Sequence, residues 1–328
     1  MAVKPIVLSI GDINGIGPEV LLKSLQHVPS DQRFIICGPF DAVLWWSNHV
    51  GLSLPLYQMA TPEDVRPLGI GVWSTDSVNN PVPKPGLVSK EAGQVAMDAI
   101  RDAVRLCLDG HARGLVTAPI SKESFALAGS NHPGHTELLA ELCSIEEQDA
   151  VMVLTDEELR VALATIHVPL EKVAGLITKE RLVRIVSIVH HELINKYKMD
   201  HPRIHVLGLN PHAGDGGVLG DAEITVISPA IAQSKANGID VAGPFAADAY
   251  FGMQRWKQCD IVLAMYHDQG LIPIKMRSFD KGVNLTLGLP FVRTSPDHGT
   301  AFDIAGRNNA SPTSFIHAIS LVNRLTSR

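Results

Sequence analysis

The sequence predicts an α/β fold, and three observations carry that reading. Short apolar runs at Ile6–Ile10, Phe34–Cys37, Gly114–Thr117 and Ile261–Met265 have the length of buried strands and stop at turn residues. Between them lie stretches with apolar residues at helical spacing, the longest running from Ser89 to Leu108 through Val95, Ala96, Ala99, Ile100, Ala103 and Val104. Strands that alternate with helices imply a parallel sheet covered on both faces. The 328 residues, 45% of them hydrophobic, suffice for two ordinary domains with cores of their own.

Taken in order, Ile6–Ile10 is a strand that Gly11-Asp12-Ile13-Asn14-Gly15-Ile16-Gly17-Pro18-Glu19 turns into a helix, with Pro18 and Glu19 suited to the first turn. The glycines do not match the G-x-G-x-x-G fingerprint and the loop lacks a P-loop's Lys-Ser/Thr ending, so tight-turn glycines explain it as well as a ligand loop does. A helix is expected near Asp41–Val50, a mostly irregular interval from Pro55 to Gly86, and a helix capped by Ser89. Thr136 can cap a helix through Cys143, and strands are expected at Ala150–Leu154 and Val161–Ile166. Thr178 can cap a helix to Tyr197, Ile204–Leu209 is a strand, and Asp221–Asn237 and Ser311–Leu325 read as helices.

Three histidines, His167, His212 and His267, each follow a predicted buried strand. In open parallel sheets the carboxyl ends of strands face the ligand crevice, which gathers the three at one place. Three imidazoles with an open position suit a catalytic divalent metal, zinc first, although a histidine at a strand end commonly serves only as a hydrogen-bonded structural group. Lys275, Asn284 and Arg293, with His135 and Thr136, supply fixed donors for a phosphate, spaced by short turns rather than along one helix face. Asp248 either orients a ligand or caps the next helix.

Composition excludes other classes. A net charge of -6 and a pI near 6.1 speak against nucleic acid or anionic membrane as partners, and 5% aromatic residues without a basic stripe speak against a single-strand platform. Four separated cysteines show no Cys-x-x-Cys, as expected in a reducing cytoplasm. No signal-peptide pattern and no run of membrane-spanning length is present, so the reading is a soluble cytoplasmic protein.

Several stretches together resemble the 4-hydroxythreonine-4-phosphate dehydrogenase family of pyridoxal 5'-phosphate biosynthesis. They are Gly15-Ile16-Gly17-Pro18-Glu19, Gly134-His135-Thr136-Glu137, Arg160 through His167, Leu209-Asn210-Pro211-His212-Ala213-Gly214, Ala264-Met265-Tyr266-His267-Asp268-Gln269-Gly270 and Gly282 through Ser295. The resemblance covers nearly the whole chain. It implies two α/β/α domains around a cleft, as in isocitrate and isopropylmalate dehydrogenases: residues 1–132 with 280–328 in one, and 133–279, with the metal ligands and dimer contacts, in the other. It implies metal ligands at His167, His212 and His267, with zinc, magnesium or cobalt as the ion. Substrate contacts fall at His135, Thr136, Lys275, Asn284 and Arg293. The implied assembly is a homodimer with a shared active site, in which His267 completes the partner's metal centre.

His298-Gly299-Thr300-Ala301-Phe302-Asp303 is similar to the cofactor loop of isopropylmalate dehydrogenases, which places His298, Gly299, Thr300 and Asp303 near NAD or NADP. One departure stands in the first loop, where the family commonly has Pro-Ala and this chain has Ile13-Asn14. The implied reaction oxidises 4-phosphooxy-L-threonine at C3 and decarboxylates the product to 3-amino-2-oxopropyl phosphate, with Lys275 and Asp248 as candidate bases. Two rival readings keep part of this: a dehydrogenase of D-threonate or D-erythronate 4-phosphate, and a zinc-dependent phosphoester hydrolase.

Overall fold

A computed structural model describes residues 3–29, 31–74 and 81–327 of the chain. Its elements begin with β1 (Ile6–Ser9), α1 (Gly17–Ser24), β2 (Phe34–Cys37), α2 (Phe40–His49), β3 (Leu56–Gln58) and β4 (Ile70–Trp73). They continue with α3 (Lys90–Leu108), β5 (Gly114–Thr117), α4 (Lys122–Leu127), α5 (His135–Leu142), β6 (Val151–Thr155) and β7 (Arg160–Leu163). Next come α6 (Leu170–Leu176), α7 (Lys179–Asn195), β8 (Arg203–Leu207), α8 (Ser228–Ala236), β9 (Asp240–Phe245) and α9 (Ala247–Gly252). The last are β10 (Ile261–Ala264), α10 (His267–Arg277), β11 (Val283–Leu287), β12 (Val292–Pro296) and α11 (Thr313–Thr326).

The chain divides into two compact units, Met1–Glu147 with Leu289–Arg328, and Gln148–Gly288. The boundaries expected at 132/133 and 279/280 are therefore displaced toward the C-terminus: α5 belongs to the first unit and β11 to the second. In the first unit the strands run β3-β4-β2-β1-β5-β12, and each neighbouring pair is parallel. The second runs β11-β6-β7-β10-β8-β9, and there the expected all-parallel sheet gives way to antiparallel β11–β6 and β6–β7 pairs. A short β6–β7 connection permits that antiparallel pairing, whereas parallel neighbours need a long crossover.

Local chemistry accounts for most elements. Ser89 Oγ accepts from Ala92 N at 3.1 Å, and Thr178 Oγ1 from Arg181 N at 3.2 Å, so both expected caps form. Thr136 does not cap: Gly134 holds the cap position of α5 without a side-chain bond. β3 and β4 lie inside the interval expected to be irregular, where pairing on the β2 edge overrides local turn composition.

Each unit has its own core. Ile6, Val7, Leu8, Ile35 and Val116 form the centre of the first, and Leu154, Val161, Leu163, Val262, Leu271 and Ile274 that of the second. Two glycines set close approaches. Gly11 has φ +72°, and a Cβ there would lie 2.4 Å from the Pro119 carbonyl. At Gly270 a Cβ would lie 2.7 Å from Leu163, so α10 sits on β7 only because that atom is absent.

Candidate active site

The residues expected to bind an anion in the first unit are built around β12. Arg293 pairs with Leu115 across the parallel β5–β12 ladder. Because side chains alternate, Leu115 and Thr117 share a face, and the guanidinium reaches Thr117 Oγ1 at 2.5 Å. Arg293 is only 2% exposed, and burial lowers its pKa to about 9. Its cationic form is thus stripped of water, and an anion beside it would restore what burial removed. His135, in the first turn of α5, is held well below the usual imidazole range by burial first and then by the Arg293 charge, opposed by a hydrogen bond to the Ala118 backbone. It is neutral at neutral pH, and its Nε2 is buried with no protein partner. Thr136 follows it, half-buried, in the same turn.

The proposed cofactor loop lies against the glycine-rich first loop of the same unit. Ile16 N donates to the Thr300 carbonyl at 2.9 Å, and a Cβ on Gly15 would lie 2.9 Å from Thr300 Cβ. His298 Nδ1 bonds the Gly299 carbonyl at 3.1 Å, and Asp303 is exposed. Asn14, the departing residue of the first loop, is a staple. Its Oδ1 accepts from Lys84 N at 2.7 Å, and its Nδ2 donates to the Leu87 carbonyl at 2.8 Å.

In the second unit the neighbouring parallel strands β7, β10 and β8 carry the three histidines beyond their carboxyl ends. His167 and His267 approach one another, with ring centroids 5.6 Å apart. Two imidazoles bound to one ion at about 2.1 Å from each nitrogen stand at a comparable spacing. His267 opens α10, and its Nδ1 donates to Asp268 Oδ1 at 2.7 Å; a carboxylate only accepts, so the bond leaves Nε2 with its lone pair free for a metal.

His212 stands apart from this pair. Among the described residues no group of three His, Cys, Asp or Glu side chains is placed to hold an ion, so the expected in-chain gathering of all three does not occur. His212 lies on its own turn, where His212, Ala213, Gly214, Asp215 and Gly216 form a left-handed run with φ from 44° to 82°. Such a conformation costs roughly 1–2 kcal/mol for each residue with a Cβ. Donor chemistry therefore fits a metal, with two of its ligands together in one chain and the third on a separate turn.

Lys275 lies on α10, so it shares a helix with His267 rather than following a short turn. Asn284 lies in β11 opposite Leu154, and its Oδ1 is buried without a partner. Asp248 is exposed in the first turn of α9, and Ala246, not Asp248, holds the cap position. Sequence reasoning missed Thr117, the contact of Arg293, and three residues behind the histidines, Thr165, Gln269 and Glu223. Gln269 stood inside a quoted motif with no role assigned.

Comparison with known proteins places the chain in a family. The family model described as the pyridoxal phosphate biosynthetic protein PdxA matches residues 40–322. The chain is 44% identical over 320 residues to the 4-hydroxythreonine-4-phosphate dehydrogenase of Prosthecochloris aestuarii, covering 95% of this chain and 94% of that one. Against the enzyme of the same name from Beijerinckia indica it is 43% identical, with 98% and 95% covered. The crystal structure of 4-hydroxythreonine-4-phosphate dehydrogenase from Klebsiella pneumoniae superposes with a TM-score of 0.89 at 37% identity, over 99% of this chain and 100% of that one. The fold is thus α/β of the isocitrate and isopropylmalate dehydrogenase type, and the protein is an oxidoreductase. The chain belongs to the pyridoxal phosphate biosynthetic protein PdxA family.

Proposed function

We propose that the chain oxidises 4-phosphooxy-L-threonine at C3 with NAD or NADP, and that decarboxylation then gives 3-amino-2-oxopropyl phosphate. The observation that carries this reading is the pairing of His167 with His267 at 5.6 Å beside a carboxylate that fixes the His267 tautomer, in a chain of this family. Buried Arg293, neutral His135 and Thr136 hold the phosphate: the guanidinium supplies charge, Thr136 supplies a hydroxyl, and His135 Nε2 is the buried atom aimed without a partner. The family resemblance adds Lys275 and Asn284 as substrate contacts. Proton removal from the alcohol falls to Lys275 or Asp248.

His167, His212 and His267 would hold a divalent metal, zinc first, whose Lewis acidity acidifies an alcohol and draws electrons from a neighbouring carbonyl. The family resemblance supports a homodimer in which the centre is completed between two copies. His298, Gly299, Thr300 and Asp303 border the dinucleotide. The test is nicotinamide reduction by purified protein supplied with 4-phosphooxy-L-threonine, with chelator and then zinc added back. Loss and recovery of reduction is expected. Faster turnover of D-threonate 4-phosphate, or phosphate release without nicotinamide, would overturn the reading.

A further inference from the structure

One polar chain runs behind all three histidines, and it touches the backbone close to each. Thr165 Oγ1, two residues before His167, donates to the Met265 carbonyl at 2.8 Å. Met265, two residues before His267, donates its own N–H to Gln269 Oε1 at 2.7 Å. The other end of that amide, Gln269 Nε2, donates to the Gly208 carbonyl at 2.7 Å. Beyond Gly208, the N–H groups of Leu209 and Asn210 both donate to Glu223 Oε1 at 2.7 Å, and Asn210 Nδ2 donates to Oε2 at 2.9 Å. Asn210 lies two residues before His212.

The chemistry of each link is specific. Gln269 closes a ring with Met265 in which His267 is the midpoint, and it ties that ring to the end of β8. The side-chain amide accepts at its oxygen and donates from its nitrogen, and a reversed amide would set its NH2 against the Met265 N–H. Glu223 is 3% exposed and takes three donors, so burial, which alone would raise its pKa, is outweighed and its carboxyl lies below the usual range. A buried carboxylate that satisfies the base of the left-handed turn holds a conformation that three non-glycine residues would otherwise abandon. Thr165 and Met265 are buried, so the links are shielded from competing water.

We infer that Thr165, Gln269 and Glu223 are positioning residues that hold each histidine-bearing loop of a chain in the place from which it reaches the shared centre, and so set the affinity of that centre for a divalent metal. This deepens the metal reading proposed above and rests on it. The test is the zinc dissociation constant of the full-length protein, measured by competition with a chromophoric chelator, together with the melting temperature of the metal-free protein. Thr165→Val and Gln269→Leu should each weaken zinc binding by about 10- to 100-fold, the usual effect of removing a group that orients a ligand. Thr165→Ser should restore it, since the hydroxyl returns.

Controls separate the two failures. Loss of zinc binding in His212→Ala with unchanged affinity in Thr165→Val and Gln269→Leu would overturn this inference alone. A folded wild-type protein that binds no zinc would overturn the metal reading and this inference together. A lowered metal-free melting temperature with unchanged zinc affinity in the folded variants would make the chain of bonds merely structural and overturn the inference.

Discussion

In the first unit the side chain proposed to bind the anion is itself buried: Arg293 is 2% exposed on β12, and its guanidinium donates to Thr117. In the second, His167 and His212 are exposed, and the backbone beneath them is what is tied down, through Thr165, Gln269 and Glu223. The difference follows from what each group would bind. An anion gains most from a desolvated cation, so the cost of burying the charge before the ligand arrives is recovered on binding. A metal takes neutral imidazoles one bond length away, and there placement matters more than desolvation.

The largest effect should come from removing the buried cation. Arg293→Met should lower kcat/KM for the phosphorylated substrate by about 1000-fold, from the 2–5 kcal/mol typical of truncating a buried charged contact. The same change removes a buried charge and also the hydrogen bond to Thr117, two effects of opposite sign, so the unfolding free energy should shift by no more than about 2 kcal/mol. Denaturant titration reads the second effect, and a loss of several kcal/mol would show that the chief role of Arg293 is to hold the fold.

His212→Ala should behave oppositely to a buried-site variant. Activity should fall about 100-fold with the loss of one metal ligand, while stability shifts by less than about 0.5 kcal/mol, as for an exposed loop residue. Asn14→Ala removes two buried-end hydrogen bonds to the 84–87 segment and should destabilise the chain by about 1–3 kcal/mol. Thermal unfolding checks it, and an unchanged Tm would show that the staple contributes nothing.

The smallest effect is in pH. Burial lowers the pKa of Arg293 to about 9. Above that value the unfolded chain keeps a proton that the folded chain has released, so this group makes stability rise with pH through the window above about 9. Affinity for inorganic phosphate should fall over the same rise, because binding needs the cation. His135 is also lowered, so between its folded value and the ordinary 6.5 the unfolded chain again holds more protons, and stability falls as pH falls through that window. A His135→Gln variant should flatten the acid-side loss of stability.

Much of this was legible in the residues. Uninterrupted apolar runs located β1, β2, β5 and β10, and Ser89 and Thr178 announced their helices because capping is local chemistry. β3, an edge strand, and β4 beside it were hidden because short strands draw on their neighbours' hydrogen bonds rather than on their own pattern. The antiparallel pairs of β6 depend on where the chain turns back, which periodicity does not encode. The histidines stood out by type and position, but the left-handed run that carries His212 did not, because it includes Ala213 and Asp215 as well as glycines. Gln269 was invisible for a related reason: its partners are backbone groups of Met265 and Gly208, which carry no side-chain signature.

The most direct measurement is a pair of calorimetric titrations, zinc and then inorganic phosphate, into the wild-type protein, Arg293→Met and His212→Ala. Separate division of labour between the units predicts that Arg293→Met loses phosphate binding and keeps its zinc affinity, while His212→Ala loses zinc and still binds phosphate. Loss of both ligands in either folded variant, or retention of phosphate by Arg293→Met, would contradict it.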